Sequence, residues 1–191
     1  MSKVVVFTNM TLDGVMQAPG RPDEDRRGGF EHGGWAAPYA AMTAAGESTP
    51  HFGALLLGRR TYEDFYAVWP NRTDNPYTAV LNNTQKYVAS TTLSEPLPWI
   101  NSTLLKGDAA EAVARLKEEL DKDLVIMGSG ELVQSLMRAN LIDEYVLLIH
   151  PLVLGSGRRL FPEGSAFATL RLVGAKTTNT GVVIATYAAP R

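Results

Sequence analysis

Short unbroken apolar runs, each followed by a small-residue turn and then a helix-patterned stretch, constrain this chain more than any other feature. Lys3-Val4-Val5-Val6-Phe7-Thr8, Gly53-Ala54-Leu55-Leu56-Leu57-Gly58 and Leu124-Val125-Ile126-Met127 lack apolar–polar alternation. They read as strands covered on both faces, the situation of a parallel sheet. The stretches between them carry helix signals. Thr61 is a candidate N-cap with Asp64 near the positive end of the dipole, and Pro70 stops that helix. Asp108 and Glu111 open a capping-box-like start, after which Val113, Leu116 and Leu120 fall on one face. Glu131 to Ala139 forms a helix burying Leu132, Val133, Leu136 and Met137.

The remaining segments complete the pattern. Trp35 to Glu47 has Ala-rich helical character, and Thr78–Leu81 and Lys86–Ala89 read as two short strands around the turn pair Asn82-Asn83. Tyr145 to Leu154 is a strand interrupted by Pro151, and Thr169–Ala175 with Val182–Ala188 forms an antiparallel hairpin around Asn179-Thr180-Gly181. The loop from Asn9 to Gly34, rich in Gly, Pro and charge, is expected to lie outside the core. The expected fold is therefore α/β: a mostly parallel central sheet, an antiparallel C-terminal hairpin, and helices on both faces. Residues 1–191 are read as a single domain, since 45% apolar side chains suffice for one core.

Composition removes several classes of function. With 18 basic and 20 acidic residues and a net charge of −2, there is no electrostatic footprint for nucleic acid or an anionic membrane. The absence of cysteine excludes disulfides, thiolate metal sites and cysteine nucleophiles. His32, His51 and His150 have no paired metal-ligand spacing, so no metal site is expected. No apolar run is long enough for a signal-peptide core or a membrane span, which makes the cytoplasm the expected location and a small molecule the expected partner.

Three turns at predicted strand ends carry the candidate chemistry, because open α/β sheets bring helix N-termini and free backbone amides together there. Gly58-Arg59-Arg60-Thr61 combines close approach with two forked guanidinium donors suited to a phosphate; the alternative is an ordinary strand-to-helix turn with two solvated arginines. Ser90-Thr91-Thr92 offers hydroxyls to phosphate or ribose, or simply forms a capped turn. Gly128-Ser129-Gly130 admits a pyrophosphate to a helix N-terminus, or merely connects strand to helix tightly. Glu131 follows at once and would repel a phosphate unless it points away.

Thr11-Leu12-Asp13-Gly14, Leu57-Gly58-Arg59-Arg60-Thr61-Tyr62, Lys86 to Leu93, Met127 to Leu132 and Pro151 to Phe161 occur in one order over nearly the whole chain. Together they resemble the dihydrofolate reductase superfamily, and within it the riboflavin-pathway reductase branch. The resemblance implies a dihydrofolate-reductase-like fold, NADPH in preference to NADH, and a homodimer. It places Gly58, Arg59, Arg60 and Thr61 at the pyrophosphate and 2′-phosphate, with Ser90 and Thr91 beside that phosphate. Gly128, Ser129, Gly130 and the adjoining Glu131 would lie along the pyrophosphate, and the stretch from Thr11 to Gly14 near the nicotinamide and substrate. Two clustered arginines point the same way, because NADH has no 2′-phosphate to pair with them.

In dihydrofolate reductases proper an acid on the first helix supports protonation of the pterin. Here the stretch from Trp35 to Ala45 carries no carboxylate, so a different small heterocycle, pyrimidine- or pterin-like, is favoured unless Asp13, Glu31 or Glu47 substitutes. Asp13 is a candidate hydrogen-bond partner for a substrate ring nitrogen, or a plain Asp-Gly turn. Trp35, Tyr39 and Phe30 are candidates for a stacking wall, against simple core burial. Arg158 and Arg159 either meet a substrate phosphate or sit solvated in a turn. Two readings of function follow: an NADPH-dependent reductase passing hydride to such a ring, or a non-catalytic nucleotide-binding or sensor protein that retains the cofactor turns.

Overall fold

The computed structural model describes residues 2–39 and 53–190. In chain order the strands are β1 (Val4–Thr11), β2 (Ala54–Gly58), β3 (Lys86–Ala89), β4 (Ser102–Leu105), β5 (Leu124–Met127), β6 (Glu144–His150), β7 (Arg171–Thr177) and β8 (Val183–Ala188). The helices are α1 (Arg59–Val68), α2 (Tyr77–Asn83), α3 (Ala109–Glu119) and α4 (Gly130–Arg138). Among the described residues the strands are hydrogen-bonded in the order β4-β3-β2-β5-β1-β6-β8-β7. The fold is the expected α/β one, with parallel pairing through β4, β3, β2 and β5 and antiparallel pairing through β6, β8 and β7. The chain divides into two compact units, Met1–Val5 with His51–Ile142 and Val6–Pro50 with Asp143–Arg191.

In the first unit, Ala54 to Leu57 of β2 and Leu124 to Ile126 of β5 are buried, as their unbroken apolar character demands. Each fully buried Leu or Ile contributes roughly 1.5–3 kcal/mol over an exposed one. Helix α3 starts where its cap predicted: the Asp108 carboxylate accepts the Glu111 N–H at 3.0 Å. Helix α4 buries Leu132, Val133, Leu136 and Met137 as expected.

Two local expectations fail here. The stretch Thr78–Leu81 is not a strand but lies in α2, whose last residues include the supposed turn pair Asn82-Asn83. The Asn75 side-chain oxygen accepts the Tyr77 N–H at 2.9 Å, starting the helix, and the Lys86 ammonium closes its other end by donating to the Leu81 and Thr84 carbonyls at 2.7 Å. Strand β4, parallel to β3, was not anticipated.

In the second unit the expected hairpin forms as the antiparallel pair β7–β8, with Leu172 opposite Tyr187 and Ala175 opposite Ala185, and β8 pairs on its other side with β6. The hairpin turn is closed by the Thr178 N–H to the Val182 carbonyl at 2.9 Å. The strand expected to run to Leu154 ends at His150, because Pro151 cannot donate to a ladder. The Asn9–Gly34 loop departs from expectation. Its first residues extend β1 to Thr11, and Val15, Ala18 and Phe30 join Trp35 and Ala36 in a buried cluster against Leu152 and Leu154. Gly157 makes this packing feasible: its φ is +116°, and a Cβ there would lie 2.7 Å from both Phe30 and Val15. Of the helix expected over Trp35–Glu47, residues 40–47 lie outside the described residues; within them, Ala37 to Tyr39 form a single 3-10 turn.

Candidate functional site

Three strand ends lie side by side in the first unit. Gly58 of β2 is opposite Ala89 of β3, and Leu56 of β2 is opposite Ile126 of β5. The three turns that follow, Gly58–Thr61, Ser90–Thr92 and Gly128–Glu131, therefore leave the same edge of the parallel sheet. Helix α1 begins directly after Gly58 and α4 directly after Ser129. Their first amides have no acceptor within the helix and mark the positive ends of two dipoles.

The Gly58 and Gly128 turns are clasped together. The Gly58 N–H donates to Ser129 Oγ at 2.9 Å, and Ser129 Oγ donates to Thr61 Oγ1 at 2.9 Å. Thr61 is thus not the N-cap of α1; Gly58 occupies that position, and the Thr61 hydroxyl ties the neighbouring turn instead. Ser129 is held at φ 61°, in the left-handed region, directly after Gly128 at φ +67°. A Cβ on Gly128 would lie 3.5 Å from the Thr61 side chain, filling the space over the clasp. Bare backbone, helix amides and hydroxyls at one edge form a cradle suited to phosphate oxygens.

The charges at this edge are already paired. Arg59 Nη1 donates to Glu63 at 3.0 Å, and Arg60 Nη1 reaches Glu131 at 3.5 Å. The Glu131 side chain is 78% exposed, so this carboxylate, suspect from the sequence, faces solvent and Arg60. Exposed pairs of this kind are worth at most about 1 kcal/mol, so a phosphate can displace either carboxylate. Ser90 Oγ accepts the Thr92 and Leu93 N–H groups at 3.1 and 3.0 Å, capping its own turn, and Thr91 is exposed beside it.

In the second unit Thr11 and Asp13 form one network. Thr11 is fully buried; its hydroxyl donates to Asp13 Oδ1 at 2.5 Å and accepts the Val15 N–H at 3.0 Å. The Asp13 carboxylate also accepts the Leu154 N–H at 3.2 Å and the Gly155 N–H at 2.8 Å. The Thr11 hydroxyl and these two amides hold its carboxyl below the usual carboxylate range. Arg159 Nε donates to the Asp13 carbonyl at 2.8 Å, and the Arg158 N–H to Gln17 Oε1 at 2.9 Å. Asp13 and Arg159 therefore pin the segment after Pro151.

Phe30 and Trp35 are both buried in the Val15 cluster, as the core alternative expected. Trp35 and Tyr39 also place their rings edge-to-face against the imidazole of His150, with centroids 5.2 and 5.0 Å away. Trp35 is fixed by its indole N–H, which donates to the Gln17 carbonyl at 2.7 Å. His150 is 2% exposed and its Nε2 lies 2.9 Å from Asn9 Oδ1. Burial pushes the imidazole down to about 4, so it is neutral at pH 7. Sequence reasoning weighed His150 only as a metal ligand and gave Asn9 no role. The available signal was a polar residue at an inward-facing position at the end of an apolar strand.

Comparison with known proteins agrees with this architecture. The family described as the RibD C-terminal domain matches residues 2–184. The chain is 30% identical over 141 residues to the uncharacterized protein YyaP of Bacillus subtilis (strain 168), covering 70% of this chain and 72% of YyaP. Among solved structures, one named for riboflavin biosynthesis from Shewanella sp. PV-4 superposes with a TM-score of 0.68 at 21% identity, over 99% of both chains. Dihydrofolate reductase from Enterococcus faecalis, complexed with NADP(H) and RAB-propyl, superposes with a TM-score of 0.63 at 15% identity, covering 99% of this chain and 97% of that one.

Proposed function

The chain belongs to the RibD C-terminal domain family, and from that premise we propose that it is an NADPH-dependent reductase passing a hydride to a small heterocyclic, pyrimidine- or pterin-like substrate. The observation that carries this reading is the alignment of three phosphate-suited turns on adjacent strands β3, β2 and β5. The cofactor supplies the hydride. Gly58 and Gly128 would admit its pyrophosphate to the starts of α1 and α4, while Ser129 and Thr61 keep the two turns in register. Arg59 and Arg60, which here pair with Glu63 and Glu131, would hold its 2′-phosphate, with Ser90, Thr91 and Gly130 beside them. In the second unit the Thr11–Asp13 network holds the segment after Pro151, and the partly buried Tyr39 offers aromatic surface to a flat ring, Trp35 being buried in the core. Reduction of such a ring needs chiefly a positioned hydride donor, with the proton available from water.

On this reading the protein works in the cytoplasm, and as a homodimer joined along β7. That strand is at the sheet edge and exposed in all seven residues, Leu172 and Val173 among them. The test of function is NADPH oxidation, followed by absorbance, over a panel of pterins, pyrimidines and quinones. Saturable oxidation with one ring class supports the reductase. Tight NADPH binding with no oxidation across the panel would establish a nucleotide-binding sensor instead.

A further inference from the structure

Among the described residues of the second unit, a buried polar atom of His150 is left without a partner. His150 Nδ1 is buried and makes no hydrogen bond, while Nε2 is engaged by Asn9 Oδ1 at 2.9 Å. Because Asn9 Oδ1 can only accept, Nε2 carries the proton and Nδ1 presents a bare lone pair. Leaving such an acceptor unsatisfied is costly, because it has given up its hydrogen bond to water and gained none. The cost is sustained although the neighbouring groups are tightly arranged: the Trp35 ring is fixed by its bond to the Gln17 carbonyl, and the Tyr39 ring closes the other contact. A buried polar atom left in this state calls for a physical explanation, and a ligand group that completes it is one.

We propose that His150 Nδ1 is the acceptor for a ring N–H or O–H of the substrate, with Asn9 fixing the tautomer and Trp35 and Tyr39 shaping the surroundings for a flat ring. The proposal deepens the reductase reading and rests on it. It selects, among flat heterocycles, those bearing a lactam-type N–H over those whose nitrogens are alkylated. Burial keeps the imidazole neutral at pH 7, so the acceptor is available there without titration. Access requires one aromatic wall to move. Tyr39 is less buried than Trp35 and lacks the hydrogen bond that pins it, so its ring is the one that turns aside.

The test uses protein labelled with 15N at histidine and saturated with NADPH, titrated separately with uracil and with 1,3-dimethyluracil, the same ring without N–H. His150→Phe identifies the resonances and keeps an aromatic ring in place. The expected result is an Nε2-protonated tautomer in the free protein, a shift of the Nδ1 resonance with uracil, and uracil binding at least tenfold tighter than dimethyluracil. That preference disappears in His150→Phe while NADPH still raises its melting temperature. A free protein protonated on Nδ1, or an NADPH-bound protein that treats the two probes alike, would overturn the proposal. Failure of NADPH to bind would remove the reductase reading instead, and the tautomer would still decide whether Nδ1 is an acceptor.

Discussion

Lys86 shows how much of this molecule depends on partners that only the folded chain supplies. Its side chain is fully buried, yet the ammonium donates to the Leu81 and Thr84 carbonyls at 2.7 Å and lies 4.5 Å from the Trp99 ring centroid. Burial pushes this group down to about 8. Lys86→Met should lower stability by about 2 kcal/mol, because carbonyls at the end of α2 lose their donor; an unchanged urea midpoint would contradict this role. His150 has the opposite character, a buried imidazole that must stay neutral. Its folded value, about 4, lies below the ordinary 6.5, so the unfolded chain binds more protons between these values. Stability from this group is complete above pH 6.5 and falls as the pH drops toward 4, by at most about 3 kcal/mol. Urea midpoints at pH 7 and 4.5 should therefore move further apart in the wild type than in His150→Phe. The strand-to-helix turns at Gly58 and Gly128 were legible because their signal is local. The Asp13 network was not, because the amides that occupy its carboxylate come from Leu154 and Gly155, 141 and 142 positions away.

The elements whose boundaries were read correctly contain their own signals. Helix α3 has a cap in Asp108 and a one-sided apolar face, and Asp108→Ala should cost about 1 kcal/mol in a thermal or urea melt. Helix α2 was misread because Thr78-Ala79-Val80-Leu81 is too short for its apolar spacing to separate strand from helix. What decides it is the Asn75 bond to the Tyr77 N–H and the Lys86 bonds at the far end, neither visible as periodicity. Strand β4 escaped notice because Ser102-Thr103-Leu104-Leu105 is half polar, as a sheet edge permits. The clasp between the turns before α1 and α4 has its own consequence. Ser129→Ala removes both the acceptor of the Gly58 N–H and the donor to Thr61. It should weaken NADPH binding several-fold while costing only about 1 kcal/mol of stability, and unchanged affinity would show that the clasp does not shape the cradle.

For the molecule as a whole, alternating strands and helices announced the fold class, and the late hairpin announced the antiparallel end of the sheet. The order β4-β3-β2-β5-β1-β6-β8-β7 was not readable, because sequence periodicity says which face a strand buries and not which strand lies beside it. That order leaves β7 at the edge with Leu172 and Val173 each about half exposed. Light scattering should give a dimer mass at micromolar concentration and a monomer mass for Val173→Lys; a monomeric wild type would rule out the β7 interface. The most direct measurement is thermal denaturation of the protein with NADPH and, separately, with NADH. NADPH at about a hundredfold its dissociation constant should stabilise the fold by roughly 2.7 kcal/mol, NADH at the same concentration by much less, and Arg59→Ala with Arg60→Ala should abolish the difference. A melting temperature unmoved by either nucleotide, or moved equally by both, would contradict the assignment of these turns to NADPH.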